Sequence, residues 1–167
     1  MEGRQKLKTL ICSILNKTGP APKVKLAKLI LFSEIEHFNR TGDSITGLYF
    51  VRLKKGPMIA FYDEVLKGGI GRLWKREAEF LPIYEEGKQK AQYSFSPLAP
   101  CAITPEVQDT IDFVIKTHGS KTGTELSNMS HKLPAWTYSE PNEPIFIAEL
   151  AAKDESEYFM LTDLVED

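Results

Sequence analysis

Glu34 and His37 are the first residues in the sequence whose types and spacing could hold a metal ion. On a helix they lie three residues apart and share one face, as the carboxylate and imidazole ligands of di-iron helical bundles do. Such a centre needs a second Glu-x-x-His pair and further glutamates, and the sequence has no second pair. The spacing therefore predicts the polar edge of a structural helix, with no metal and no other cofactor.

Ser127, Ser130 and His131 combine the residue types of a nucleophile and a general base. Ser130 and His131 are consecutive, so on a helix their side chains point about 100° apart. Ser127 and His131 are four residues apart and could touch, but a pair on a helix surface has no strained elbow and no oxyanion hole. We therefore predict that the protein is not an enzyme and that His131 caps the last carbonyl groups of its own helix.

The helices that carry these side chains are predicted from apolar residues at helical spacing. Lys23–Thr41 is apolar on more than one side, which predicts a central helix that packs on several faces and ends at Gly42. Thr104 and Pro105 predict the start of a helix that ends at Gly119. Further helices are predicted over residues 1–17, 58–67, 122–131 and 154–164, and Thr122 and Glu125 form a capping box at the start of the third of these.

Segments rich in β-branched and aromatic residues predict a small β-element. One strand is expected over residues 45–53, another around Leu73 and Trp74, and a short one over 145–148. Strands containing Leu81 to Tyr84 and Tyr93 to Phe95 are expected to form a hairpin. Together with the helices, they predict a mainly helical α+β fold with a central buried helix and a small antiparallel sheet or hairpin.

The composition is that of one domain spanning residues 1–167, with 42% apolar residues and a formal charge of −2. This near-neutral balance argues against a dedicated nucleic-acid or membrane-surface protein. No segment approaches the roughly 20 apolar residues of a membrane span, so a cytoplasmic protein is expected. Cys12 and Cys101 are too few for a cysteine-based zinc site and are predicted to be reduced thiols.

The two helices within residues 104–131 resemble a helix-turn-helix in outline. A second helix that reads DNA needs side chains that reach base edges and phosphates. Here it offers Asn128, with Lys121 and Lys132 only at its ends. A DNA-binding regulator is therefore the less favoured alternative, and nucleic acid is not the expected partner.

Several short motifs occur in an order that carries a family resemblance. The central helix contains Lys25–Phe32 and continues to Glu36–Phe38, and the strand after it leads to Lys55–Pro57. Much later come Glu125–Ser127, then Ser130 and His131, then Pro134–Trp136. This order, from about residue 23 to 147, resembles the Panacea domain family, which comprises SocA-like antitoxins and related phage-associated proteins.

The resemblance implies an antitoxin of a bacterial or prophage toxin–antitoxin system. Such a protein neutralises a cognate protein toxin, usually encoded beside it, by direct binding, or acts as an adaptor that delivers the toxin to a cellular protease. The resemblance implies no catalytic residues and says nothing of oligomeric state. Whether Trp136 lies in the core or contacts the partner is left open. The motif positions expected to be structural or partner-binding are Lys28, Phe32, His37, Gly56, Pro57, Glu125, Ser127, His131 and Trp136.

Overall fold

The computed structural model of the protein describes residues 2–68, 80–83, 94–97 and 103–166. Helices dominate these residues, and the strands form two small antiparallel sheets of three strands each. The predicted mainly helical α+β fold is therefore confirmed. The elements are α1 (Glu2–Thr18), β1 (Ala21–Pro22), α2 (Lys23–Thr41), β2 (Phe50–Leu53), β3 (Gly56–Ile59), α3 (Tyr62–Gly68), β4 (Phe80–Ile83), β5 (Ser94–Pro97), α4 (Pro105–His118), α5 (Gly123–Ser130), α6 (Pro134–Tyr138), β6 (Pro144–Ile145), α7 (Ile147–Leu150) and α8 (Glu155–Glu166).

Helix α2 has the predicted bounds and lies at the centre of the fold. Pro22 precedes it in an extended conformation, and Gly42 ends it in the left-handed region, where its N–H donates to the carbonyl of Phe38. Helices α1, α4, α5 and α7 and strand β3 all pack against α2. Because neighbours surround it, apolar residues on several sides of α2 are fully buried, as in Leu26, Leu29 and Ile30.

The predicted helix over residues 58–67 is wrong in its first half. Residues Gly56–Ile59 instead form strand β3, which pairs with β2 around a two-residue turn made by Lys54 and Lys55. The hairpin gives the backbone groups of this segment partners that an isolated short helix would not provide. A helix begins only at Tyr62, whose buried hydroxyl donates to the carbonyl of Lys23.

The other strands are shorter than predicted. Strand β2 begins at Phe50 rather than at residue 45, because the buried carboxylate of Glu34 holds residues 44–46 as a loop. Strand β6 contains only Pro144 and Ile145 and pairs with β2. Strands β4 and β5 pair antiparallel, as the predicted hairpin requires. The expected strand residues Leu73, Trp74, Tyr84 and Tyr93 lie outside the described residues.

The helix signals of the second half of the chain are confirmed. The Thr104 side chain accepts a hydrogen bond from the N–H of Val107 at the start of α4. Thr122 and Glu125 form the predicted reciprocal capping box at the start of α5. Pro134 ends that segment and also begins a new short helix, α6, because proline at the first helical position loses no intrahelical hydrogen bond.

The prediction of a reduced thiol at Cys12 is wrong. This side chain is completely buried on α1 and is part of a disulfide. The sequence contains one other cysteine, Cys101, which lies outside the described residues. Two distant cysteines carry no spacing signal from which pairing could be predicted.

Candidate functional site

A buried lysine lies beneath the β2–β3 hairpin. Lys28, on α2, is 1% exposed, and its ammonium group donates a 3.0 Å hydrogen bond to the carbonyl oxygen of Pro57. Burial lowers the pKa of Lys28 to about 8. Gly56, beside Pro57, has a φ of +117°, and a Cβ there would overlap Ser130 Oγ and lie 2.9 Å from Lys28 Nζ. The backbone of the hairpin therefore rests directly on α2 and α5.

The two serines of α5 do not form a catalytic arrangement. Ser130 Oγ donates a 2.7 Å hydrogen bond to the carbonyl of Ser127. Ser127 Oγ is buried and has no hydrogen-bond partner among the described residues, so the helix-spaced pair of Ser127 and His131 does not form. A serine nucleophile needs a hydrogen-bonded base, and within the described part of the chain neither serine has a histidine or carboxylate partner.

The imidazole of His131 binds the hairpin rather than the carbonyl groups of its own helix, so the predicted capping by this ring is wrong. The backbone N–H of His131, at the C-cap of α5, donates to the Ser127 carbonyl. Its Nε2–H donates a 3.1 Å hydrogen bond to the carbonyl of Lys54 in the turn. Its ring stacks on that of Trp136 with 4.0 Å between centroids and 24° between planes. The carbonyl of Lys54 is an available acceptor 77 residues away in sequence, which no local pattern reveals.

Trp136 joins α6 to strand β2 through three contacts. Its indole N–H donates a 2.9 Å hydrogen bond to the carbonyl of Leu53. The guanidinium of Arg52 lies 4.2 Å from the centre of the indole, on which it makes a cation–π contact, and Arg52 Nε donates to the Trp136 carbonyl. The side chain is half-buried. Trp136 thus packs back on the domain and also keeps an edge at the surface.

Glu34 has a structural role that the sequence reasoning missed. Its fully buried carboxylate accepts hydrogen bonds from the hydroxyls of Ser44 and Thr46 and from the N–H groups of Ile45 and Thr46. These bonds hold the loop after α2 in place. The sequence signal for this role was the presence of two hydroxyl residues, Ser44 and Thr46, shortly after a helix that contains a glutamate.

His37 contacts the neighbouring helix α4. Its Nδ1 lies 3.0 Å from the Thr110 hydroxyl of α4, which itself donates to the carbonyl of Glu106. The described residues contain no group of three or more histidine, cysteine, aspartate or glutamate side chains that could hold a metal ion. Glu34 and His37 share a helix, but each is directed to a different structural partner.

The motif residues therefore fall into three places. Five of them gather around the β2–β3 hairpin, namely Lys28, Gly56, Pro57, His131 and Trp136, and Ser127 lies one turn before His131 on α5. Phe32 and His37 lie further along α2 against α4, where the Phe32 ring is 5.0 Å from that of His118. Glu125 is exposed at the start of α5, where it completes the capping box. Arg52 belongs to the hairpin cluster, although no sequence motif singled it out.

The helix pair considered for DNA binding does not form a packed helix-turn-helix. Helices α4 and α5 each pack mainly against α2 rather than against each other. The outer surface of α4 carries the carboxylates of Glu106, Asp109 and Asp112, and the last of these pairs with Lys17. An acidic outer face repels phosphates, so the geometry does not favour this alternative.

Comparison with known families identifies the chain. Residues 26–137, about two thirds of its length, match the family described as antitoxin SocA-like, Panacea domain. The chain therefore belongs to this antitoxin family. No curated protein and no solved structure shows a significant match. Within the described residues, no helix is long and apolar enough to cross a membrane.

Proposed function

We propose that this protein is an antitoxin that neutralises a cognate protein toxin by binding it directly. The observation that carries the proposal is membership of the SocA-like antitoxin family across residues 26–137. Neutralisation follows from occlusion, because a folded partner that buries the active surface of a toxin excludes its substrate. A standard protein interface buries roughly 1,600 Å² in total, which a domain of this size can supply.

The arrangement of the motif residues supports a binding role. Lys28, Ser127 and His37 are buried and have structural surroundings, so they build the frame rather than contact a partner. His131 and Trp136 stack at the edge of the hairpin and are only partly buried. We propose that the buried motif residues shape the domain and that the exposed edge of this stack is available to the toxin.

The decisive experiment is co-expression with the protein encoded by the neighbouring gene. We expect that protein to arrest growth alone, and growth to recover when this chain is present. The two proteins should also co-purify at a defined stoichiometry. A neighbour that is harmless, or whose toxicity persists beside well-expressed antitoxin, contradicts the proposal.

Delivery of the toxin to a cellular protease is the alternative route to neutralisation. The two routes differ in toxin lifetime. Occlusion predicts that the toxin accumulates in a stable complex, whereas an adaptor shortens its half-life in a protease-dependent manner. We propose occlusion, and a chase of labelled toxin with and without this chain distinguishes the two.

We further propose a cytoplasmic site of action, where the toxin would be synthesised. The disulfide of Cys12 is more common in oxidising compartments, which makes the periplasm the alternative location. Cell fractionation with a periplasmic and a cytoplasmic marker protein tests the location. Recovery of the chain with the periplasmic marker contradicts it.

A further inference from the structure

Helices α6 and α8 together expose an unusual group of apolar side chains. Tyr138 is 43% exposed, Phe159 41% and Met160 60%. The rings of Tyr138 and Phe159 are 4.9 Å apart, and Tyr158 lies beside both, with 6.1 Å to the first ring and 5.4 Å to the second. We call Tyr138, Tyr158, Phe159 and Met160 the aromatic face. Tyr158 is only 4% exposed and belongs to the core that the two exposed rings contact, and Met160 follows Phe159 in α8. Exposed aromatic rings that contact each other, as Tyr138 and Phe159 do, are typical of protein-binding surfaces.

The sequence that follows Tyr138 and contains the rest of the aromatic face is strongly acidic. Residues 139–167 contain nine aspartates and glutamates and a single lysine, whereas the chain as a whole carries only −2. None of the ion pairs found among the described residues involves an acidic side chain between positions 139 and 163. The charge of this region is therefore not neutralised within the described part of the domain.

The tyrosines of the face respond to this charge. The pKa of Tyr138 is raised first by its hydrogen bond with Glu155, and burial and the negative charge of Glu155 add to the shift. The pKa of Tyr158 is raised by burial and then by the charges of Glu149 and Glu143. Carboxylates from α7, from α8 and from the loop between α6 and β6 thus raise the pKa values of tyrosines in the same group of rings.

We propose that the aromatic face, with its rim of carboxylates, binds a basic surface of the toxin that carries an apolar anchor. This inference rests on the proposed antitoxin function and adds the chemistry of the partner surface. Apolar contact at the centre supplies affinity, and the acidic rim steers a positively charged partner and sets its orientation. A toxin that acts on nucleic acid or another anionic substrate has such a basic surface, and covering it would block the substrate.

The position of the face connects it to the family motif. Helix α6 carries Trp136, which faces the hairpin, and two residues later Tyr138, which faces α8. On α8, Glu155, Phe159 and Asp163 follow one another at four-residue spacing and therefore lie on one side of the helix. One ridge of α8 thus alternates carboxylate, ring and carboxylate.

Two matched pairs of variants test the proposal in the complex with the neighbouring gene product. Phe159→Ala removes an exposed ring of the face, and Phe113→Ala removes an equally exposed ring on α4. We expect Phe159→Ala to raise the dissociation constant at least about tenfold and Phe113→Ala to leave it within about twofold of the wild-type value.

The second matched pair of variants tests the carboxylate charges in the same way. Glu155→Gln with Asp163→Asn removes two charges from the face, and Glu106→Gln with Asp109→Asn removes two from α4, each set including one residue in a first helical turn. Only the first set should slow association and reduce its dependence on salt. Far-ultraviolet circular dichroism and unfolding midpoints verify that all four proteins are folded.

The outcomes separate the two proposals. If the wild-type chain does not bind the neighbouring gene product, both the proposed antitoxin function and the proposed role of the aromatic face are contradicted. If the wild type binds and neutralises it but the face variants behave as their α4 controls, only the face proposal is overturned. Loss of self-association in the face variants, with toxin binding unchanged, also overturns it, because the occupant is then a second copy of this chain.

Discussion

The ammonium group of Lys28 and the carbonyl oxygen of Pro57 are joined by a hydrogen bond of 3.0 Å that links the central helix to the β-hairpin. No carboxylate among the described residues forms an ion pair with this ammonium group. A buried charge with a single carbonyl partner is costly, and the lowered pKa of Lys28 is the result.

Lys28 should therefore make the fold more stable as the pH rises from about 8 towards 10. Between about pH 8 and pH 10.5, Lys28 is neutral in the folded protein but still protonated in the unfolded chain. The unfolded state then binds more protons, so the free energy of unfolding increases with pH, by about 3 kcal/mol from this group. Below pH 8 the lysine is charged in both states and contributes no slope.

Urea unfolding across this pH range measures the effect. Lys28→Met should remove the rise, because a thioether of similar length does not titrate. Lys55→Met, at an exposed lysine in the hairpin turn, should retain it. Equal pH slopes in the wild type and Lys28→Met would contradict the assignment.

Gly56 should not tolerate even a methyl group. Its φ of +117° disfavours any other residue, and a Cβ would overlap Ser130 Oγ and crowd Lys28 Nζ. We expect Gly56→Ala to lower the free energy of unfolding by about 3 kcal/mol or more. Gly47→Ala is the control, because Gly47 has a φ of +75° but open space around it, and should cost only about 1 kcal/mol. Similar losses in both variants would show that close packing at Gly56 is unimportant.

Glu34→Gln tests the loop that follows α2. The carboxylate accepts from four donors, and an amide can accept with only one of its two ends. We expect a loss of about 2–3 kcal/mol in unfolding free energy and faster amide hydrogen exchange at residues 44–46. Glu36→Gln, at a partly exposed partner of Arg40, should change stability by less than about 0.5 kcal/mol. Unchanged exchange in Glu34→Gln would refute this role.

Local signals account for what the sequence predicted correctly. The bounds of α2, the Thr104 cap and the Thr122–Glu125 capping box depend on residues within one or two helical turns of each other. The β2–β3 hairpin was not predicted in full because Gly56 takes its conformation against Lys28 and Ser130, which are distant in sequence.

The candidate site shows the same division between features that local signals predict and features that distant contacts determine. Its motif residues were identifiable from the sequence, but their roles depend on contacts between distant segments. The imidazole of His131 was expected to cap α5 and instead binds the Lys54 carbonyl, and Arg52 carried no motif at all although it covers the indole of Trp136. Periodicity predicts which residues lie on one face of a helix, but it does not predict which distant carbonyl or ring that face will meet.

Trp136 gives the sharpest test of whether the hairpin and α6 form one unit. The Trp136→Ala change removes the stack with His131, the contact with Arg52 and the hydrogen bond to the Leu53 carbonyl. Because the side chain is only half-buried, we expect a loss of about 2 kcal/mol, below the roughly 3–5 kcal/mol typical of truncating a fully buried aromatic side chain. Trp136→Phe keeps a ring for the two stacking partners and loses only the N–H donor, so its cost should be about 1 kcal/mol. Urea unfolding followed by circular dichroism measures both, and a Trp136→Ala protein as stable as the wild type would mean that the indole does not join α6 to the hairpin.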